Sequence, residues 1–297
     1  MGISRVAVDK INSRVMLVLT VFATVTIFFM MIGLFFKSLP VLRDHSLTGM
    51  LFSSDWSPLK GKFGMWPYIL STLWVTAVAI TVAVPLCILT AIYLSEYADK
   101  RILKIANPFL DILAGLPSVI YGVWGILMII PLVRDFIAPT FGMESTGYSI
   151  LTGGLVLSVM VFPIIIHILI DVFKTIPQDL RDASLALGAT KWQTIKFVVL
   201  RKSLTGIISA VVLGLSRAFG ETLAVLMVVG NVVNVPKSVF DPAYPLQALI
   251  ANNYGEMLSI PMYDSALMFA ALVLFMIIFF FNAISRYILM QLEKSSQ

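Results

Sequence analysis

Five stretches of this chain run for about 20 residues or more without a single Asp, Glu, Lys or Arg: Val15–Phe36, Phe63–Ser95, Ile112–Val133, Ser145–Ile170 and Ser265–Ser285. A helix needs about 20 apolar residues to cross the hydrocarbon core of a bilayer. A sixth stretch, Ser203–Pro236, is long enough if Arg217 and Glu221 are admitted inside it. Charged residues make up 12% of the 297, against roughly 25% in soluble domains. The expectation is an all-α polytopic membrane protein with six transmembrane helices. Val15–Phe36 is longer than the 7–15-residue apolar core of a signal peptide and is followed by Lys37-Ser38-Leu39-Pro40 with no small-residue cleavage site, so it reads as a retained span.

Composition excludes several chemistries. Cys87 is the one cysteine, and His45 and His167 lack metal-ligand spacing, so no metal site and no internal disulfide are expected. A membrane-embedded enzyme would need clustered ionisable or nucleophilic groups, which the chain does not supply. No G-x-x-x-x-G-K-[S/T] phosphate loop is present, so any ATP and Mg would be bound by another polypeptide.

Orientation follows from Lys and Arg. With the N-terminus inside, the inner segments carry 14 of the 21 and the outer segments six, Arg217 lying within a span. The positive-inside bias places both termini in the cytoplasm. The outer side then holds the Lys37–Lys62 and Lys237–Asp264 loops, the second containing an apolar stretch, Leu246–Ile250, that suits a short helix. Pro67 suits the first turn of the second span, while Pro85, Pro117 and Pro163 are expected inside spans.

The segment Lys174–Lys202 is the long charged connection between spans. Leu180, Ala183 and Leu187 recur at helical spacing, Pro177 marks a helix start and Gly188 a helix end. Thr190 and Gln193 then form a T-x-x-Q capping box. This predicts helix, sharp turn, helix, anchored to spans at both ends. An ordered basic platform of this kind suits a partner that docks on it. The alternatives are a connection lying on anionic lipid head groups through Lys191, Lys196, Arg201 and Lys202, or a helix-turn-helix DNA reader, which the nearby bilayer would obstruct.

Arg217 and Glu221, four apart, are expected on one face of the fifth span near mid-bilayer. A central Arg costs about 2.5–3.5 kcal/mol on insertion scales, so its presence calls for a reason. Either the two form a helix-to-helix ionic lock, or Arg217 offers charge-assisted donors to an oxyanion while Glu221 orients it. Thr72 and Thr76 on the second span could add neutral donors to that path, although packing or backbone bonding is the commoner use of such hydroxyls. Ser118 and Tyr121, beside Pro117, are similar candidates. Ala210, Gly214 and Ala218 mark a close packing seam, open to use as a subunit interface, and His167 is expected to pair with Asp171.

On these residues the chain resembles the permease subunits of bacterial ABC importers. Their cytoplasmic EAA motif corresponds here to Asp182-Ala183-Ser184, Gly188 and Val198-Val199-Leu200-Arg201, with Asp, Ser and Arg replacing the family's Glu, second Ala and final Pro. Leu113–Gly122, Ser216–Ala224 and Trp56–Gly64 are similar to phosphate importer permeases of the PstC type. The resemblance implies a five-helix type I core over 68–291, with 1–67 added ahead of it and 292–297 as a cytoplasmic tail. It implies that Asp182, Ala183, Ser184 and Gly188 contact an ATPase, and that Arg217 and Glu221 line a phosphate path. Implied partners are a second, PstA-type permease, PstB-type ATPase subunits and an outer PstS-type phosphate-binding protein, in the bacterial inner membrane. A permease for a related oxyanion, or a proton-coupled secondary transporter using Glu221, are the competing functions.

Overall fold

The computed structural model describes residues 5–256, 260 and 262–295. Its architecture is helical, with one two-stranded hairpin. Five helices are long and apolar enough to cross a membrane: Asp9–Asp44, Trp66–Tyr97, Ser118–Thr140, Ile150–Lys174 and Tyr263–Gln291. A bent pair, Lys191–Lys202 and Leu204–Gly220, turned by 70° at Ser203, makes a sixth when its two helices are counted as one span, the fifth in chain order. The buried Ser203 hydroxyl donates to the Val199 carbonyl at 2.7 Å, which also accepts the Ser203 N–H.

The second and fourth spans form the centre. Val75, Ala79, Ala83, Cys87 and Ala91 recur every four residues on the second span and are all fully buried. Small side chains on one stripe let another helix approach closely. Ile150, Leu157, Val161, Ile165, Leu169 and Phe173 of the fourth span bury the same core. At Gly154 a Cβ would sit 2.4 Å from Val78, so only glycine permits this approach.

The fifth span packs on the fourth by the same device. Ala210, Gly214 and Ala218 are buried, and a Cβ at Gly214 would meet Ile165 Cδ1 at 2.5 Å. The seam expected from these residues is therefore internal to the chain, and its use as a subunit interface is not what the fold shows. The first span packs along the sixth, where Ser265 Oγ donates to the Lys37 carbonyl at 2.8 Å. Most of the first span's apolar surface, including Phe22 and Phe29, stays exposed.

The third span departs from the expectation. An amphipathic helix, Lys100–Gly115, ends at Leu116, and the span begins at Ser118 with Pro117 as its N-cap. Pro117 thus marks a break and does not lie inside a helix, and the span runs to Thr140 and not from Ile112 to Val133. Two π-helical turns follow, Gly125–Ile129 and Val133–Ile137. Each includes the carbonyl that a proline ring would crowd four residues back, at Leu127 from Pro131 and at Asp135 from Pro139. Widening the turn relieves that clash.

Pro67 sits in the first turn of the second span, and Pro85 and Pro163 lie inside helices as expected. The short helix expected over Leu246–Ile250 is present as Leu246–Asn253. Part of the loop after it, 257–259 and 261, lies outside the described residues. The expected tail 292–297 continues the last helix to Ser295, beyond which it lies outside the described residues.

Candidate functional site: the elbow and the broken fifth span

The elbow forms as its sequence dictates. Pro177 caps a helix over Gln178–Ala186, and Gly188 adopts φ +85°. The Ala189 N–H donates to the Ser184 carbonyl at 3.2 Å, closing the helix end. Both arms of the Thr190–Gln193 capping box are made, at 2.8 and 3.2 Å. No atom lies within 4 Å of a Cβ built at Gly188, so backbone conformation alone explains glycine there.

Among the described residues the apolar face of the first elbow helix has no partner. Leu180 and Leu185 are 40% and 45% exposed and Leu187 is 90% exposed. Asp182 and Ala183 are exposed beside them, and the Asp182 carboxylate accepts from Gln178 Nε2 at 3.1 Å. Ser184 turns inward, its hydroxyl 2.9 Å from that of Thr194. The expected docking residues therefore divide: Asp182, Ala183 and Gly188 face outward, while Ser184 joins the two arms.

A pair the sequence reading missed fixes the elbow to the bundle. Arg181 Nη2 donates to Glu96 Oε1 at 2.9 Å and to the Phe173 carbonyl at 2.8 Å, and Nη1 reaches the Ile176 carbonyl. The two side chains are only 12% and 10% exposed. Lys191 Nζ lies 4.5 Å from the centre of the Tyr97 ring. Both arms of the elbow thus hold the same end of the second span.

The fifth span breaks at the second site. The helix Leu204–Gly220 ends, Glu221 is extended at φ −79°, ψ 119°, and a short helix resumes over Leu223–Val228. Arg217 and Glu221 do not share a helix face, and among the described residues neither makes an ion pair. The expectation of mutual pairing is corrected: Gly220 ends the helix between them, and the shared face requires an unbroken turn. Arg217 is exposed on the surface of the single chain.

Opposite this break lies the other one. Gly122 packs so closely on the short helix Leu223–Val228 that a Cβ there would meet Met227 Sδ at 2.5 Å. The Tyr121 hydroxyl donates to the Leu113 carbonyl at 2.6 Å. The start of the third span therefore packs on the short helix that follows the break in the fifth. Arg217, Thr72 and Thr76 are not shown to share one site.

Thr72 is fully buried and does structural work. Its hydroxyl donates to the Tyr68 carbonyl at 2.8 Å and accepts from the Leu246 N–H at 2.9 Å. The neighbouring Ser71 hydroxyl accepts from the Tyr244 N–H at 3.2 Å. Thr76 Oγ1 is buried without a protein partner. His167 pairs with Asp111 at 3.3 Å and not with Asp171, which is 3.5 Å from Lys174. An i, i+4 spacing carried no information about the neighbouring Lys100–Gly115 helix. Among the described residues no group of His, Cys, Asp and Glu could hold a metal.

A bundle of membrane helices with an exposed, glycine-jointed elbow is the architecture of an ABC importer permease of type I. The methionine ABC transporter MetNI in inward-facing conformations aligns with a TM-score of 0.55 at 19% identity, covering 77% of this chain and 94% of that one. A bacterial ABC transporter that imports the acidic polysaccharide alginate aligns at 0.56 and 16% identity, covering 94% and 99%. The chain belongs to the family of binding-protein-dependent transport system inner membrane components, whose sequence pattern matches residues 83–293.

Within that family its curated relatives include phosphate transport system permease proteins PstC. The one from Xylella fastidiosa (strain 9a5c) is 34% identical over 291 residues, spanning 91% of this chain and 89% of the relative. The one from Mesorhizobium japonicum is 35% identical over 276 residues, spanning 88% and 84%. A probable PstC of Methanocaldococcus jannaschii is 33% identical over 285 residues, spanning 91% and 90%.

Proposed function

We propose that this chain is a transmembrane permease subunit of an ATP-driven importer of inorganic phosphate. It supplies half of the translocation path, and a second permease chain supplies the rest. The observation that carries the reading is similarity along about nine-tenths of the chain to PstC permeases, together with the unpartnered face of the elbow. Leu180, Leu185 and Leu187, with Asp182, Ala183 and Gly188, receive the ATPase in the cytoplasm. ATP and Mg bind in that partner. An outer phosphate-binding protein delivers substrate to the opposite end of the bundle.

Within the path, Arg217 is the anion-selective group. A guanidinium presents several donors to a tetrahedral oxyanion, and its exposure on the single chain suits a wall shared with a second permease. The break after Gly220 in its own span supplies non-helical backbone, which membranes tolerate only along protein-lined or wet cavities. Glu221, displaced by the break, tempers the local positive charge without neutralising Arg217 through a direct pair. Attraction without trapping is what conduction requires. Thr76, whose buried hydroxyl has no partner among the described residues, contributes a hydroxyl to the same route, whereas the Thr72 hydroxyl is used within the chain.

Reconstitution tests the reading. Proteoliposomes holding this chain, a second permease and the ATPase, supplied with binding protein, should accumulate radiolabelled phosphate only with ATP. Accumulation driven by a proton gradient without the ATPase would overturn it in favour of a secondary transporter.

A further inference from the structure

We propose that the second span, Trp66–Tyr97, is a rigid rod that couples the elbow at one end of the protein to the Leu246–Asn253 helix at the other. Arg181–Glu96 is its inner joint, and Ser71 and Thr72 form its outer joint. The inference rests on the reading that an ATPase docks on the elbow.

The inner joint is built as a fixed attachment. The Arg181 guanidinium meets a carboxylate and two backbone carbonyls, one from Phe173 in the last turn of the fourth span and one from Ile176, two residues past its end. A planar fork held at several points resists rotation in a way a single flexible contact does not. Burial to 12% and 10% exposure removes most of the competing water. Breaking such a pair leaves an uncompensated charge, so the contact persists through motion. The Lys191–Tyr97 contact ties the second elbow arm to the same helix end.

The outer joint is independent of the inner one. Two successive residues of the helix, Ser71 and Thr72, accept the N–H groups of Tyr244 and Leu246. Those are the residues that lead into the helix Leu246–Asn253, and Gln247 within it lies 3.3 Å from Thr72. Ser71, Thr72, Leu246 and Gln247 are each buried. From Thr72 to Glu96 the span runs about 36 Å at 1.5 Å per residue, as α-helix to Ile92 and then a π turn over Tyr93–Tyr97 that holds Glu96. Its buried stripe from Val75 to Ala91 packs along the fourth span on both sides of Pro85. Coupling through such a chain of packed and hydrogen-bonded contacts needs both joints intact.

The test uses the full importer complex in proteoliposomes, with Glu96→Ala, Thr72→Val and both together. ATP hydrolysis and phosphate uptake are measured side by side, and copurification of the ATPase is recorded. Each single variant is expected to keep the ATPase bound and hydrolysing while uptake per ATP falls about tenfold, a typical size for lost coupling. Joints in series predict that the double variant is no worse than the poorer single one. Losses that multiply, or uptake per ATP equal to wild type, overturn the rod. A wild-type complex without ATP-dependent uptake overturns the transporter reading instead. A second measurement needs no weakened joint. Spin labels at Asp179 and Tyr93, in a chain carrying Cys87→Ala, should keep a constant separation with and without ATP. A separation that changes with ATP contradicts the rigid inner joint.

Discussion

The Tyr121 hydroxyl donates to the Leu113 carbonyl at 2.6 Å, bridging the interruption at Pro117 between the amphipathic helix and the third span. Leu113 is in the last turn of its helix, where carbonyls lack partners. The Leu113 carbonyl has only a long bond from the Leu116 N–H, at 3.4 Å, and a side chain from the next helix supplies the short one, which fixes the angle at which the two segments meet. Tyr121→Phe removes only this bond. Loss of one such bond costs about 1 kcal/mol, so the detergent-solubilised complex should melt a few degrees lower. Unchanged melting would show that the bond does not hold the break.

Gly188 has φ +85° with open space where a side chain would be. A β-branched residue there strains the backbone by roughly 1–2 kcal/mol without any clash. Gly188→Val should leave membrane insertion intact and abolish most ATP-driven uptake, while Gly188→Asn, which tolerates this conformation, should keep more of it. Equal loss in both variants would point to side-chain volume at the docking surface.

Replacing Arg217 by Gln should lower phosphate uptake by one to two orders of magnitude, on a charged hydrogen bond's contribution of about 1.5–3 kcal/mol. ATPase binding should be unchanged. If assembly fails and uptake per assembled complex does not, Arg217 serves packing and not the anion.

The Gly214 seam predicts a stability effect separate from transport. Gly214→Val drives a methyl into Ile165, and such overpacking costs about 1–3 kcal/mol. Ile165→Ala in the same chain should recover part of the melting temperature. Additive losses would place the clash elsewhere.

Acid acts on the hairpin Trp56–Phe63. Lys62 Nζ, hydrogen-bonded to Asp55 at 2.9 Å, holds that carboxyl below its ordinary range. A lowered folded-state value means the contribution is present above the unfolded carboxylate range and lost as pH falls through the folded value. Because both groups are exposed, the contribution is small. Asp55→Asn should flatten any acid-induced change in the tryptophan fluorescence assigned to Trp56, and leave neutral-pH uptake untouched.

Local features were legible in the sequence where their causes are local. The capping box at Thr190, the turn at Gly188 and the close seam at Gly214 each need only a few adjacent residues. Spans were legible because the bilayer demands length and apolarity. The Arg217–Glu221 geometry was not, since a helical spacing rule assumes an unbroken helix. Gly220, the residue between them that ends it, was the available signal. Arg181–Glu96 and His167–Asp111 were hidden for another reason: their partners come from distant segments, 85 residues apart in the first case. No periodicity reports such a meeting. Thr72 likewise gains its partner, Leu246, only through the tertiary fold.

The most direct measurement is photocrosslinking from position 187 during ATP-driven phosphate uptake in native membranes. A photoreactive residue at Leu187 is predicted to capture an ATP-binding polypeptide, with the yield changing between nucleotide states. Adducts with lipid alone, while uptake proceeds, would contradict the account.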